Sequence, residues 1–208
     1  MNYRLDVPII DVDPPRPGHP PRRGLVIAIA LFTLIAFGGG GIWIIVGAQH
    51  RSLAVVLFGN TPVWAHLLGG LAMGLLIAAI GWWIIARPYL DKVRGKYVAI
   101  IGPMMPSVWI QWFISVCAGV GEELFFRGAL QQWFGVPLTA IGFVALHGYL
   151  DPRDRRICSY GIFLVLAMIG LGLYTNAYGL LGPIIAHTVI DIMLLGRLVG
   201  EWRRGTLQ

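Results

Sequence analysis

The sequence predicts an all-α protein, a polytopic transmembrane bundle of about six helical spans, on three observations. Hydrophobic residues make up 57% of the 208 positions and charged residues only 12%, about half the charged share of a soluble domain. Mean hydropathy is +0.72, so lipid is the solvent this composition fits. Apolar runs of about 20 residues, the length that crosses hydrocarbon, recur along the chain. Lys and Arg gather in alternate connections, as they do when one side of a membrane retains positive charge.

The first element, residues 1–23, is polar and carries Pro8, Pro14, Pro15, Pro17, Pro20 and Pro21. Prolines at that density prevent a regular helix, so an extended or disordered arm is expected, ending at Arg22 and Arg23. Residues 24–208 are expected to form a single transmembrane helical domain. Its first span, 25–46, is too long and too far along the chain for a signal peptide and is read as retained. The glycine run at 38–41 permits a kink or a close helix contact. In span two, 63–86, Gly70, Gly74 and Ala78 recur every four residues as a small-residue stripe suited to helix association.

Arg87, Lys92, Arg94 and Lys96 form a basic connection, and Pro103 and Pro106 interrupt the chain before span three, 107–134. At 1.5 Å per residue that span would reach about 42 Å, so it must tilt or project from the hydrocarbon. Span four covers 137–150, span five 157–174 and span six 178–199, with a basic turn at 151–156. The arm, the second connection and the fourth are rich in Lys and Arg, whereas the first is poor and the turns at 135–136 and 175–177 carry no charge. Both termini are therefore expected to be cytoplasmic. The net charge of +6 is spent on this topology and not on an aromatic-interleaved basic stripe, so nucleic acid is not an expected partner. Cys117 and Cys158 lie in or beside apolar segments and read as packing groups, not as a disulfide or a metal pair.

Ionisable groups inside a span cost at least about 2.5 kcal/mol each on insertion scales, so each calls for a partner or a function. Span three holds Glu122, Glu123 and Arg127. Glu123 and Arg127, four apart, share one helix face, which suggests that Arg127 neutralises Glu123 and leaves Glu122 to face another helix. Span four supplies Phe143 and His147 and span six His187 and Asp191, each pair also four apart. Measured from the ends of their spans, Glu122, His147, His187 and Asp191 fall at one depth of roughly 12–18 Å. His66, at the start of span two, and His50, in a connection, read as interfacial or solvated; His19 belongs to the arm.

These residues resemble the CAAX protease and bacteriocin-processing (Abi) family of intramembrane endopeptidases. Glu122, Glu123 and Arg127 match its EExxxR motif, Phe143 and His147 its FxxxH, and His187 and Asp191 its HxxxN or HxxxD. The resemblance covers residues 107–199, and three motifs in order within apolar segments are specific where any one alone would be weak. It implies an intramembrane endopeptidase that hydrolyses peptide bonds of membrane-associated proteins or peptides with a glutamate-activated water. In that reading Glu122 is the general base, His147 holds the water, and His187 with Asp191 stabilises the oxyanion. Glu123, Arg127 and Phe143 then support the catalytic layer. Asp191 stands where many members carry Asn, and an Asp donates a hydrogen bond only when protonated.

No cofactor is expected. Two His and a Glu could hold zinc with an open position, but the sequence offers no HExxH, and a metal-free mechanism is favoured. The expected partners are the bilayer and a membrane-associated peptide or protein substrate, and the short chain with its basic arm points to a prokaryotic plasma membrane. Two other classes compete: a catalytically silent scaffold or immunity protein, and a proton-coupled transporter, since intramembrane Glu, His and Asp also build proton relays. Substrate identity, prenyl dependence, the side of substrate entry and oligomeric state are not encoded legibly.

Overall fold

The computed structural model describes residues 23–105 and 107–205; the arm expected over 1–23 lies outside the described residues save for Arg23. Among the described residues the chain forms seven helices and no strand. In chain order these are α1 (Gly24–Ala48), α2 (Leu53–Phe58), α3 (Val63–Ile85), α4 (Asp91–Met104), α5 (Val108–Leu146), α6 (Arg155–Tyr178) and α7 (Leu181–Gly205). Five of them, α1, α3, α5, α6 and α7, are long and apolar enough to cross a membrane.

Their surfaces invert the pattern of a water-soluble protein. Phe32, Trp43, Leu76, Trp109 and Leu166 are exposed, while His66, Gln111, Ser115, Glu122, Glu123, Arg127, Gln131 and His187 are buried. With lipid outside, apolar side chains cost nothing at the surface, and polar ones must find partners within the bundle. This makes the chain a multi-pass helical membrane protein.

The long helix α5 accounts for two of the sequence-predicted spans. At Gly135 its backbone turns to φ 73°, ψ 170°, a conformation open essentially to glycine alone. The chain reverses there, and residues 136–146 run back beside 108–134, so that the Phe126 and Phe143 rings meet edge to face at 5.0 Å. Just before the reversal, over Leu124–Leu130, the helix widens to π-type bonding, a local irregularity that recurs at functional sites.

Small residues set the close approach of α3 and α7. A Cβ on Gly74 would meet the Ala186 carbonyl and Val189, and one on Gly70 the Gly182 carbonyl, as the Gly70, Gly74, Ala78 stripe predicts. Asp154 starts α6 by accepting from the Arg156 and Ile157 backbone N–H groups, which satisfies donors the helix leaves free. Both cysteines are free, as expected.

Two expectations need correction. The basic connection after α3 is largely helical: α4 fastens to the end of α7 through Arg94, which lies 3.2 Å from Glu201 as well as 2.9 Å from Asp91, and through Gly102 against the Trp202 ring. Pro103 falls in its last turn, where it breaks little of the helix. His66 is not solvated but fully buried, with Nε2 3.1 Å from the Phe58 carbonyl, and so ties the end of α2 to α3.

Candidate active site

The reversal at Gly135 brings the FxxxH arm of α5 against its EExxxR arm, and α7 closes the third side. Glu122 leaves the middle of α5 only 9% exposed, with Oε2 3.5 Å from His147 Nε2 and 3.9 Å from His187 Nε2. Asp191, one turn beyond His187 on α7, places Oδ2 3.8 Å from the same His187 nitrogen. The residues expected at one depth therefore do converge.

The tautomers follow by elimination. His147 Nδ1 lies 2.7 Å from the Phe143 carbonyl, and a carbonyl can only accept, so that nitrogen carries the proton. His187 Nδ1 lies 2.9 Å from Glu123 Oε1, where it donates to the carboxylate. Each ring thus spends its Nδ1 proton on a fixed acceptor and turns Nε2 toward Glu122. Orientation of a working imidazole through its other nitrogen is a recurrent device.

Glu123 does more than the intrahelical pairing suggested. Its Oε1 receives His187 and also lies 3.1 Å from Arg127 Nη1, at an angle that makes the latter an ion pair and not a hydrogen bond. Its Oε2 is buried without a partner among the described residues. Arg127 is 3% exposed and lies over the Phe143 ring at 4.3 Å. Phe143 is the hub of the layer, 4.3 Å from the His147 ring and 5.7 Å, edge on, from that of His187. Quadrupole and cation–π attractions hold such a stack without further hydrogen bonds.

Glu122, His147, His187 and Asp191 together line a cavity of about 160 Å³, which also takes in Tyr149 and Tyr160. Those two tyrosines continue into a second cavity of about 110 Å³ toward Tyr97 and Ile101 of α4. On the other side Ala118 and Glu122 border an apolar cleft of about 210 Å³ between α1 and α5. The tyrosines went unnoticed in the sequence because a lone Tyr in an apolar run reads as packing; the signal available was a hydroxyl that burial obliges to find a polar neighbour.

Among the described residues no three His, Cys, Asp or Glu side chains are disposed to hold a metal ion.

Two carboxylates and two imidazoles, those of Glu122, Asp191, His147 and His187, thus line one interior cavity of this multi-pass helical protein, with Glu123 and Arg127 paired beside it. Residues 104–193, which hold every one of the motif residues, match the family model described as Type II CAAX prenyl endopeptidase Rce1-like. The resemblance to CAAX proteases carried by the three motifs is thereby met in an independent comparison, and the match is to a protease family. Among curated proteins and among solved structures, nothing matches this chain.

Proposed function

We propose that this protein is an intramembrane endopeptidase that hydrolyses peptide bonds of membrane-associated proteins or peptides with a water activated by Glu122. One observation carries the reading: a buried carboxylate oxygen stands 3.5 and 3.9 Å from two imidazole nitrogens whose opposite sides are both tied down. Glu122 takes the proton of the attacking water, and His147 Nε2 holds that water in place. His187, when protonated at Nε2, faces the developing oxyanion, with Asp191 beside it. Glu123 and Arg127 act through His187 by fixing its ring, and Phe143 seats both imidazoles. The proton taken by Glu122 returns to the leaving amine, so the reaction consumes one water and needs no redox partner.

The alternation of Lys and Arg supports a chain with both termini in the cytoplasm. The test is cleavage of a model membrane peptide by purified protein reconstituted in vesicles, with metal analysis of the same preparation. Wild type should cleave, whereas Glu122→Gln and His147→Ala should not, at unchanged thermal stability. Cleavage retained by Glu122→Gln would overturn the assignment of the base, and a wild type inert toward every membrane peptide would favour a scaffold.

A further inference from the structure

At the end of the bundle where α2 meets α3 and α6 meets α7, a cavity of about 390 Å³ is separate from the catalytic one. It is lined by Arg51, Arg127, Asn60, Gln131, Gln132 and Asn176 among others, and no acidic side chain is in its wall. Two guanidiniums and four amides line it without a carboxylate, and Glu123 behind the wall offsets only one of the guanidiniums, that of Arg127. An interior cation there is expected to be matched by a charge.

Arg51 has no such match. Its Nη1 donates to the Gly128 carbonyl at 3.1 Å and to Gln49 Oε1 at 3.3 Å, and no carboxylate lies within ion-pair distance of it among the described residues. Dipoles hold this guanidinium in place without neutralising it. Gln49 in turn donates to the Ala129 carbonyl at 2.9 Å, which pins the loop bearing Arg51 to the π-turn of α5. Deeper in, Arg127 borders the same cavity, its Nη1 buried in the ion pair with Glu123 and without a hydrogen bond. On the facing wall Gln131 Nε2 donates to Asn176 Oδ1 at 2.8 Å, which leaves the Asn176 NH2 without a protein acceptor among the described residues.

We infer that this cavity binds a phosphate-type oxyanion, held by Arg51 at the rim, Arg127 at the floor and the amide of Asn176. Guanidinium forks match tetrahedral oxyanions in pairs of parallel hydrogen bonds, and an incoming anion supplies the charge that Arg51 lacks. Such a group could arrive as the headgroup of an anionic phospholipid or as a free phosphate. Arg127 is common to this cavity and to the pair with Glu123, which stands one helical turn away and accepts from His187 of α7. Binding itself stands apart from the peptidase reading and is measured without cleavage.

The experiment uses the full chain purified in neutral detergent. In one arm inorganic phosphate is titrated at constant ionic strength while the unfolding midpoint is followed; in the other, native mass spectrometry compares retained phosphatidylglycerol with retained phosphatidylcholine. A saturable rise in the midpoint identifies the free anion, and preferential retention of the anionic lipid identifies the headgroup. In either case affinity should fall roughly tenfold or more in Arg51→Gln and survive in Arg51→Lys. Asn60→Asp, an exposed change that adds a carboxylate to the wall, should abolish binding at an unchanged fold, which keeps the test decisive if Arg51→Gln does not fold. Wild type showing no saturable response in either arm, or the same response as Asn60→Asp, overturns the site.

Discussion

Arg127→Met removes a buried guanidinium while keeping an unbranched apolar stem under Phe143. Glu123, fully buried, would then hold a charge with only His187 Nδ1 against Oε1 and nothing against Oε2. Breaking a buried pair by deleting one member costs about 3–5 kcal/mol, because the survivor is left uncompensated. At about 2–4 °C per kcal/mol for a chain of this size, the unfolding midpoint should fall by about 6–20 °C. Glu123→Gln alone should cost a similar amount, since it strands the guanidinium instead. The double variant removes both charges and lets the Gln carbonyl still accept from His187, so it should lose much less than the two single losses combined. Thermal unfolding of the four proteins in one detergent provides the cycle. A loss below about 1 kcal/mol for Arg127→Met, or a double variant as poor as the sum of the singles, would refute the view that these charges hold one another inside the bundle.

His147→Asn keeps an amide donor near the Phe143 carbonyl but removes the ring nitrogen facing Glu122, so cleavage should drop about 10²–10⁴-fold with a near-native melting curve. Asp191→Asn, whose 3.8 Å approach to His187 is loose, should keep cleavage within about tenfold of wild type, a difference of about 1.4 kcal/mol; a steady-state rate comparison checks it. Gly135→Ala finds open space for its Cβ but must hold φ 73°, and should therefore lose about 1–3 kcal/mol of stability through backbone strain alone. Gly74→Leu would drive a side chain into the Ala186 carbonyl and Val189, so α3 must part from α7, and circular dichroism melts should show a less cooperative transition at lower temperature.

The helices and the site differ in how far they could be read from the chain. Apolar length disclosed the spans, and the four-residue spacings of Glu123 with Arg127, Phe143 with His147, and His187 with Asp191 disclosed faces, because helical geometry makes both local. The pairing of Glu123 with His187 was not local: it depends on how α7 is rotated against α5, which close packing at Gly119 beside Thr188 decides. The helical nature of α4 escaped for a related reason. Its sequence is polar and basic with no long apolar stripe, and what makes it a helix is a partner, Glu201 and Trp202 of α7, that lies about a hundred residues away. His66 looked wet from its place at a span's edge, yet the Phe58 carbonyl of the preceding short helix covers it.

The arm that follows the reversal at Gly135 ends at Leu146, about 16 Å away by helical rise, which is about half the thickness of a hydrocarbon layer of roughly 30 Å. The tight turn after it, with Gly148 at φ 77°, closes on itself through Gly148 N–H to the Ala145 carbonyl at 2.9 Å and Tyr149 N–H to the Val144 carbonyl at 3.2 Å. Beside it lies the cavity of about 160 Å³ that Glu122, His147, His187 and Asp191 line, polar enough and roomy enough to hold water. A hydrolase working among acyl chains needs room for water as its second reactant, and a helix that stops short leaves that room next to Glu122.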